Sequence, residues 1–179
     1  TEPASLSAAV TSKTDVFCNG GNTGDVNITV NGGTPPYLYS WSNSATTEDI
    51  TGLATNSYTV TVTANGGCTA TANATITQPA VISVTQTSIT NVNCSGGNTG
   101  AIDVLVSGGT LPYSYIWNNG ITTEDLIGVN AAVYSVTVTA SGGCNTFFSA
   151  TITQPPALNI VLVSKTDVAS CGVNNGAID

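Results

Sequence analysis

Positive charge is almost absent from this sequence of 179 residues. Its cationic side chains are Lys13 and Lys165, against ten acidic residues, so the formal net charge is −8. A nucleic-acid-binding protein needs several Lys or Arg side chains to neutralise phosphates, so this composition excludes that class. The sequence also has no His and no Arg. It therefore lacks the usual general base and metal ligand, and it lacks the side chain that clamps phosphate through two hydrogen bonds.

Long hydrophobic runs are missing too. No stretch approaches the roughly 18 apolar residues that a membrane-spanning helix requires, so we expect no membrane span in this segment. Only 7% of the residues are charged, but disorder also requires low hydrophobicity, and 41% of this chain is hydrophobic. We therefore expect the chain to fold. Neither Thr1 nor Asp179 has the features of a natural boundary, so we expect a segment of a longer protein.

The sequence repeats itself with a shift of 76 positions. Residues 18–24 (CNGGNTG) return as residues 94–100 (CSGGNTG), and a third copy starts at residues 164–168. The repetition predicts a first repeat at residues 1–79, a second at 80–155, and a truncated third at 156–179. Further segments related by the same shift are 32–34 and 108–110, Trp41 and Trp117, 46–49 and 122–125, 66–68 and 142–144, and 74–79 and 150–155.

Within each repeat the apolar residues alternate with polar ones. This period of two predicts strands, and no window shows helical spacing. Gly-Gly and Asn-Gly pairs separate the strands, as tight turns demand. With six or seven short strands and a Trp on the third, each repeat matches the outline of a small Ig-like sandwich. The sequence thus predicts an all-β chain of tandem Ig-like β-sandwich modules of about 76 residues, arranged as an extended rod, in which each module folds alone. The alternating sets are Val26, Ile28 and Val30; Tyr37, Tyr39 and Trp41; and Tyr58, Val60 and Val62.

Tyr58 comes at the start of one of these strands, directly after a short polar loop. Two interpretations remain open at this point. In a tyrosine corner, the hydroxyl group of Tyr58 would bond back to the preceding loop. Alternatively, the side chain simply fills the core.

The repeat resembles a known family when its motifs are taken in order. They are Cys-x-Gly-Gly-x-x-Gly, Gly-Gly-Thr-x-Pro-Tyr-x-Tyr-x-Trp, Thr-Thr-Glu-Asp, Tyr-x-Val-Thr-Val-Thr-Ala-x-Gly-Gly-Cys and Ile-Thr-Gln-Pro. This order resembles the SprB-type repeat, named after a very large surface adhesin of gliding bacteria of the Bacteroidota. The resemblance implies long arrays, secretion by the type IX pathway and an extracellular, outer-membrane-associated location. It also implies neighbouring repeats, the gliding machinery and external surfaces as partners.

The implied export makes disulfides an expectation for the cysteines. The candidates are Cys18, Cys68, Cys94 and Cys144, which allow three pairings. We prefer Cys18–Cys68 and Cys94–Cys144, because both cysteines of a repeat lie in Gly-rich turns of one compact unit. A bond from Cys68 to Cys94 across the junction remains the rival, and the partner of Cys171 remains open. Metal binding would need Cys or His pairs at short spacing, and the sequence has none.

The paired acids at residues 48–49 and 124–125 are the remaining candidates for chemistry. Neighbours on a strand point to opposite faces, so two such carboxylates cannot face each other across a cleft. We interpret them as solvated strand edges, with calcium binding as the open alternative. We expect no catalytic residue, no cofactor and no metal site. Of Phe147 and Phe148, alternation places one in the core and the other outside.

These observations favour a structural interpretation. We expect a stalk or filament segment of a large repetitive cell-surface adhesin that serves gliding motility and surface attachment, and not an enzyme. The alternatives are an extracellular polysaccharide-binding repeat and an accessory domain of a secreted enzyme. An exposed aromatic platform would favour polysaccharide binding, but the aromatic residues mostly alternate inward.

Overall fold

Antiparallel strands make up the whole fold. A computed structural model describes residues 4–167, 171–172 and 176–178, and no helix occurs in these ranges. Consequently, no helix there is long and apolar enough to cross a membrane. The strands are β1 (Ser7–Thr14), β2 (Gly24–Asn31), β3 (Tyr37–Trp41), β4 (Ile50–Leu53), β5 (Asn56–Ala64), β6 (Thr69–Ile76), β7 (Ser83–Thr90), β8 (Gly100–Ser107), β9 (Tyr113–Trp117), β10 (Leu126–Val129), β11 (Ala132–Ala140), β12 (Asn145–Ile152), β13 (Lys165–Thr166) and β14 (Ala177–Ile178).

Each of the first two repeats is a sandwich of two three-stranded sheets. In the first repeat, one sheet has the order β1-β2-β4 and the other has the order β3-β5-β6. The second repeat follows the same plan, with β7-β8-β10 and β9-β11-β12. This arrangement confirms the predicted all-β, Ig-like class, with six strands in each repeat.

Each sandwich has its own hydrophobic core. The first core is built on Trp41, Val60 and Val62, and the second on their counterparts Trp117, Val136 and Val138. These residues are almost completely buried because alternation turns one side of every strand toward the opposite sheet. The two cores share no residue, so the tryptophan of each repeat is packed by that repeat alone.

The strands give each sandwich two distinct ends. At the amino end, the Gly33 amide donates to the Ala4 carbonyl (2.8 Å), and the β5–β6 turn is closed by a bond from the Ala64 amide to the Cys68 carbonyl (2.9 Å). At the carboxyl end, the Val16 amide donates to the Thr77 carbonyl just after β6 (2.9 Å). The second repeat has the same bonds at its two ends, shifted by 76 positions.

A short pair of strands lies in the predicted third copy. In it, Lys165 is opposite Ile178, and Thr166 is opposite Ala177. Strand β1 meets β2 in the same register, with Lys13 opposite Val26. The third copy therefore starts its hairpin as the other two do. The predicted domain boundaries, as boundaries of independently folding units, stay a prediction.

The tyrosine corner is present in both repeats. The hydroxyl of Tyr58 donates to the Ala54 carbonyl (3.0 Å), and that of Tyr134 to the Asn130 carbonyl (3.2 Å). Both rings are buried as well. The two interpretations of Tyr58 therefore hold together: the ring fills the core, and the hydroxyl fixes the loop before β5.

Candidate functional site: the junction between the repeats

A disulfide joins the two repeats. It links Cys18 of the first repeat to Cys144 of the second, with 5.5 Å between their Cα atoms. The predicted pairings Cys18–Cys68 and Cys94–Cys144 are therefore wrong in this structure. The rival Cys68–Cys94 bond is absent too, since Cys68 and Cys94 are free and exposed, as is Cys171.

Strand length explains why a repeat cannot bond its own two cysteines. Cys68 comes directly before β6, at the amino end of the sandwich, whereas Cys18 lies at the carboxyl end, where β6 finishes. Eight residues of strand separate the two ends by about 26 Å. A disulfide needs Cα atoms within about 7 Å, so only a neighbouring repeat can bring a partner close enough.

The chain turns sharply at Cys18, in a segment that we call the cysteine loop (residues 18–21). The Gly21 amide donates to the Cys18 carbonyl (2.9 Å), and Gly20 has a positive φ of 75° that favours glycine. The Gly20 amide donates to the side-chain carbonyl of Gln78 (2.8 Å), and the Asn19 side chain donates to the Pro79 carbonyl (3.0 Å). The loop is therefore tied to the chain that leads into the next repeat.

This role of Gln78 is not among the predictions from the sequence. The Gln-Pro pair coincides with the predicted end of the repeat, and the Cys-x-Gly-Gly and Ile-Thr-Gln-Pro motifs recur together. Gln154 accepts a bond from the Gly96 amide in the second repeat, also at 2.8 Å. The joint recurrence of two motifs about 60 residues apart was the available signal.

The partner of the cysteine loop is the turn between β11 and β12, which we call the cysteine turn (residues 141–144). The Ala140 amide donates to the Cys144 carbonyl (2.7 Å), and Gly142 has a positive φ of 88°. A Cβ atom on Gly142 would lie 3.0 Å from the Cβ of Phe17, so the missing side chain lets Phe17 lie directly on the turn. Phe17 stays 52% exposed and rests on this turn outside both cores.

Two clefts flank the disulfide. One, of about 340 Å³, lies between the cysteine loop and the start of the second repeat, with Asn19, Pro79 and Ile82 in its wall. The other, of about 380 Å³, is lined by Asp15, Phe17 and Thr110 among others. The repeats thus meet through the cysteine loop and the cysteine turn, and open space remains on both sides.

Asp15 carries the notable charge beside this junction. Its carboxylate accepts a bond from the Thr77 amide (2.8 Å) and pairs with the Lys13 ammonium (2.9 Å). These two contacts, the amide first, hold the pKa of Asp15 below its usual value. In the second repeat the same position is Asn91, which accepts the Thr153 amide (2.9 Å) without a charge.

The paired acids have a structural role that the sequence did not reveal. Asp49 accepts a bond from the Ile28 amide, and Asp125 from the Val104 amide, both at 2.9 Å. The carboxylate of Asp49 thereby satisfies a backbone donor of β2, next to the irregular pairing of β2 with β4. The carboxylate of Asp125 does the same for β8, next to its irregular pairing with β10. The Trp41 indole donates to the Thr47 carbonyl in the same segment (2.8 Å). This segment therefore closes one side of the sandwich.

The glutamates of these pairs affect nearby tyrosines. Partial burial, followed by the charge of Glu124 and a hydrogen bond with it, raises the pKa of Tyr115 to about 12. The pKa of Tyr39 is raised for the same reasons, with Glu48 as the neighbour. Within the ranges that the structure describes, no three His, Cys, Asp or Glu residues gather as a metal site would need.

Phe147 and Phe148 divide as alternation predicted. Phe148 packs against the second core, and Phe147 is 66% exposed. Phe147 lies in β12, on the outer face of its sheet.

Comparison with known families identifies the repeat. The family model described as SprB repeat matches residues 10–46 and 86–122. Two segments of this chain match the SprB repeat. The predicted resemblance is thereby confirmed, and the match supports a repeat module of a surface adhesin. Each matched segment contains the first cysteine of its repeat, Cys18 or Cys94, and ends before the second cysteine, Cys68 or Cys144.

Solved structures match this chain only with low identities and low scores. The N-terminal eight Ig domains of Down Syndrome Cell Adhesion Molecule match at 15% identity and a TM-score of 0.38, over 84% of this chain and 24% of that one. An amphioxus IgVJ-C2 molecule matches at 14% identity and a TM-score of 0.34, over 83% and 99%. A tetra-tandem repeat from the extending region of a large adhesion protein matches at 15% identity and a TM-score of 0.29, over 83% and 49%. The chain thus spans about a quarter of the first of these proteins, and scores this low carry no argument about function. No curated protein sequence matches the chain.

Proposed function

We propose that this chain is a stalk segment of a large cell-surface adhesin, in which SprB repeats joined end to end hold an adhesive region away from the cell. The observation that carries the proposal is the Cys18–Cys144 disulfide, which bridges the carboxyl end of one sandwich and the amino end of the next. The backbone makes one covalent connection at this junction. The disulfide adds a second covalent connection beside it.

The position of the bond also suits a chain under tension. The two cysteines are 126 positions apart, so the bond encloses most of both repeats in one covalent loop. A force applied to the two ends of the chain is transmitted through the disulfide, and the enclosed strands are not extended. A stalk that resists pulling by a surface needs this property.

The rest of the surface gives less support to polysaccharide binding. In the part of the chain that the structure describes, the large exposed aromatic side chains are Phe17 and Phe147. Phe17 lies on the cysteine turn, and Phe147 stands on a separate sheet face. A carbohydrate platform needs aromatic rings side by side, so the stalk remains the better-supported function.

Gliding motility, secretion by the type IX pathway and association with the outer membrane complete the proposal. They follow from the SprB resemblance alone. The test uses the producing cells and an antibody raised against residues 1–179. We expect the antibody to label intact cells, at a distance from the outer membrane in immunogold images. Deletion of the segment encoding residues 1–155 should reduce surface attachment and spreading. Labelling that appears only after lysis, or unchanged attachment and spreading after deletion, would contradict the proposal.

A further inference from the structure

We infer that the disulfide between the repeats is itself repeated along the array. The cysteine at the position of Cys18 in each SprB repeat (the loop cysteine) bonds to the cysteine at the position of Cys144 in the next repeat (the turn cysteine). Cys94 would then bond to the turn cysteine of a following repeat, and Cys68 to the loop cysteine of a preceding one. The inference goes beyond the proposed function, since it would hold for any tandem array of this repeat.

The loop that carries Cys94 has the geometry of the bonded loop. The Gly97 amide donates to the Cys94 carbonyl (3.0 Å), as Gly21 does to Cys18. Gln154 holds the Gly96 amide at 2.8 Å, the distance found for Gln78 and Gly20. Cys94 is therefore presented at the carboxyl end of the second sandwich as Cys18 is at that of the first.

The turn that carries Cys68 likewise matches the bonded turn. The Ala64 amide donates to the Cys68 carbonyl at 2.9 Å, and the bond from Ala140 to Cys144 is its counterpart. A cleft of about 350 Å³ lies beside Cys68, lined by Leu6, Gly33 and other residues of the amino end. The corresponding cleft of the second repeat has Cys18 and Asn19 of the first repeat in its wall.

Differences in exposure mark Cys68 and Cys94 as unoccupied halves of the same contact. Cys18 and Cys144 are half-buried, whereas Cys68 and Cys94 are exposed. Among the residues that the structure describes, nothing lies within 4 Å of a Cβ atom built on Gly66, while the equivalent Gly142 is covered by Phe17. The occupant that fits the surface around Cys68 is therefore the cysteine loop of another repeat.

One side chain at the next junction differs. Asn93 stands where the first repeat has Phe17, so the contact with the glycine of the following turn would be smaller. The hydrogen bonds that fix the loop do not involve this side chain, and the cysteine keeps its position. We therefore expect the bond at both junctions.

Each bond forms by thiol–disulfide exchange with a small or protein disulfide as the oxidant. The Cys94 thiolate attacks one sulfur of the oxidant, which forms a mixed disulfide and releases one thiol. The turn-cysteine thiolate then attacks the Cys94 sulfur and releases the second thiol. The two cysteines lose two protons and two electrons in total, and the oxidant is reduced to two thiols.

In a longer array these bonds would overlap. The loop closed by one disulfide starts in one repeat and finishes near the end of the next, where the following loop has already started. Every inner repeat would then carry two bonds, one at each end. The array would form a continuous covalent ladder beside the backbone.

The test adds one repeat to the full chain. A second copy of residues 80–155 is inserted directly after Pro155, so that the new junction has the Gln-Pro-Ala sequence of residues 78–80. To give each linked peptide one assignment, Cys18, Cys144 and the inserted copy's Cys94 are replaced by Ser. The protein is oxidised with oxidised glutathione, alkylated, digested without reduction and mapped by mass spectrometry.

We expect a linked peptide that joins Cys94 to the inserted copy's Cys144, with Cys68 and Cys171 alkylated. The matched control adds Cys94→Ser, after which the inserted copy's Cys144 should be alkylated. Recovery of Cys94 in alkylated form, or joined to any other cysteine, would overturn the inference.

A second measurement guards against misfolding of the substituted protein. The three-repeat chain with every cysteine intact is titrated with a thiol reagent under native conditions after the same oxidation. The inferred ladder leaves Cys68, the inserted copy's Cys94 and Cys171 as the reactive thiols. Reaction of Cys94 and the inserted copy's Cys144 in that protein would refute the ladder independently.

Discussion

At the scale of single residues, the junction depends on Gln78, a side chain that acts within the first repeat. Gln78 accepts the Gly20 amide and so fixes the direction in which Cys18 leaves the sandwich. Gln154 makes the same bond in a loop whose cysteine is free. A substitution of Gln78 therefore has a matched control in the same chain, the equivalent substitution of Gln154.

Replacing Gln78 with Ala should speed the reduction of the Cys18–Cys144 bond. The loss of one exposed hydrogen bond should lower the free energy of unfolding by about 0.5–1 kcal/mol and loosen the loop. The Gln154→Ala variant should lose similar stability but keep the original reduction rate. The rates can be followed by alkylation at timed intervals in dithiothreitol. Equal rates in the two variants would contradict this role of Gln78.

Asp15 gives a pH dependence that only the first repeat should show. Its folded-state pKa lies below the unfolded value, so its contribution to stability is complete above about pH 4 and is lost as the pH falls toward the folded pKa. Asp15→Asn should remove this acid-side loss, because an amide oxygen can still accept the Thr77 amide. The converse change, Asn91→Asp, should introduce an acid-side loss in the second repeat. Denaturant unfolding between pH 2 and 6 measures both effects. If the free energy of unfolding keeps the same dependence on pH in both variants, the acid-side loss does not come from this position.

At the scale of strands, the sequence predicts those strands in which apolar and polar side chains alternate. Strands such as β5 show a clear period of two because one side faces the core, and they were placed correctly. The sequence does not indicate strand β4. It is buried only at Ile50 and Leu53, its pairing with β2 is irregular, and Gly52 has a positive φ, so it shows no alternation.

The disulfide pairing could not be predicted for a related reason. Local pattern shows that Cys18 and Cys68 both lie in Gly-rich turns, but not at which end of the sandwich each turn stands. That depends on the direction in which each strand runs. Strands β3 and β4 run in the same direction, so the number of strands between the two cysteines does not decide it. In the structure, strand β6 runs from the amino end, beside Cys68, to the carboxyl end, where Cys18 lies.

Separate cores predict that a single repeat folds alone. No residue of the second core belongs to the first, and the contact between the repeats is made by Phe17, the cysteine loop and the cysteine turn. A protein of residues 80–156 should therefore unfold in one cooperative transition. Thermal unfolding monitored through the buried Trp117 would show it. A broad transition without a defined midpoint would indicate that the repeats fold only as a pair.

At the scale of the whole molecule, the disulfide should control how far the chain extends under force. The bond excludes 126 positions from extension, which corresponds to a contour length of about 450 Å at roughly 3.6 Å per residue. Single-molecule pulling from the two ends should therefore give a chain that is longer by about that amount after reduction. The paired variant Cys18→Ser with Cys144→Ser should reach the longer value without reductant. Equal lengths before and after reduction of the unsubstituted chain would contradict the mechanical role.

An end-to-end arrangement of the repeats gives the molecule a length that small-angle X-ray scattering of the oxidised chain can measure. With the loops at each end added to about 26 Å of strand per sandwich, a rod of two sandwiches and a partial third would be about 80–100 Å long, with a radius of gyration of about 25 Å. A compact globule of this chain length would have a radius of gyration of about 16 Å. We expect a radius of gyration close to that of the rod, with a distance distribution that extends well beyond that of a globule. A radius near 16 Å would contradict the end-to-end arrangement and, with it, the stalk.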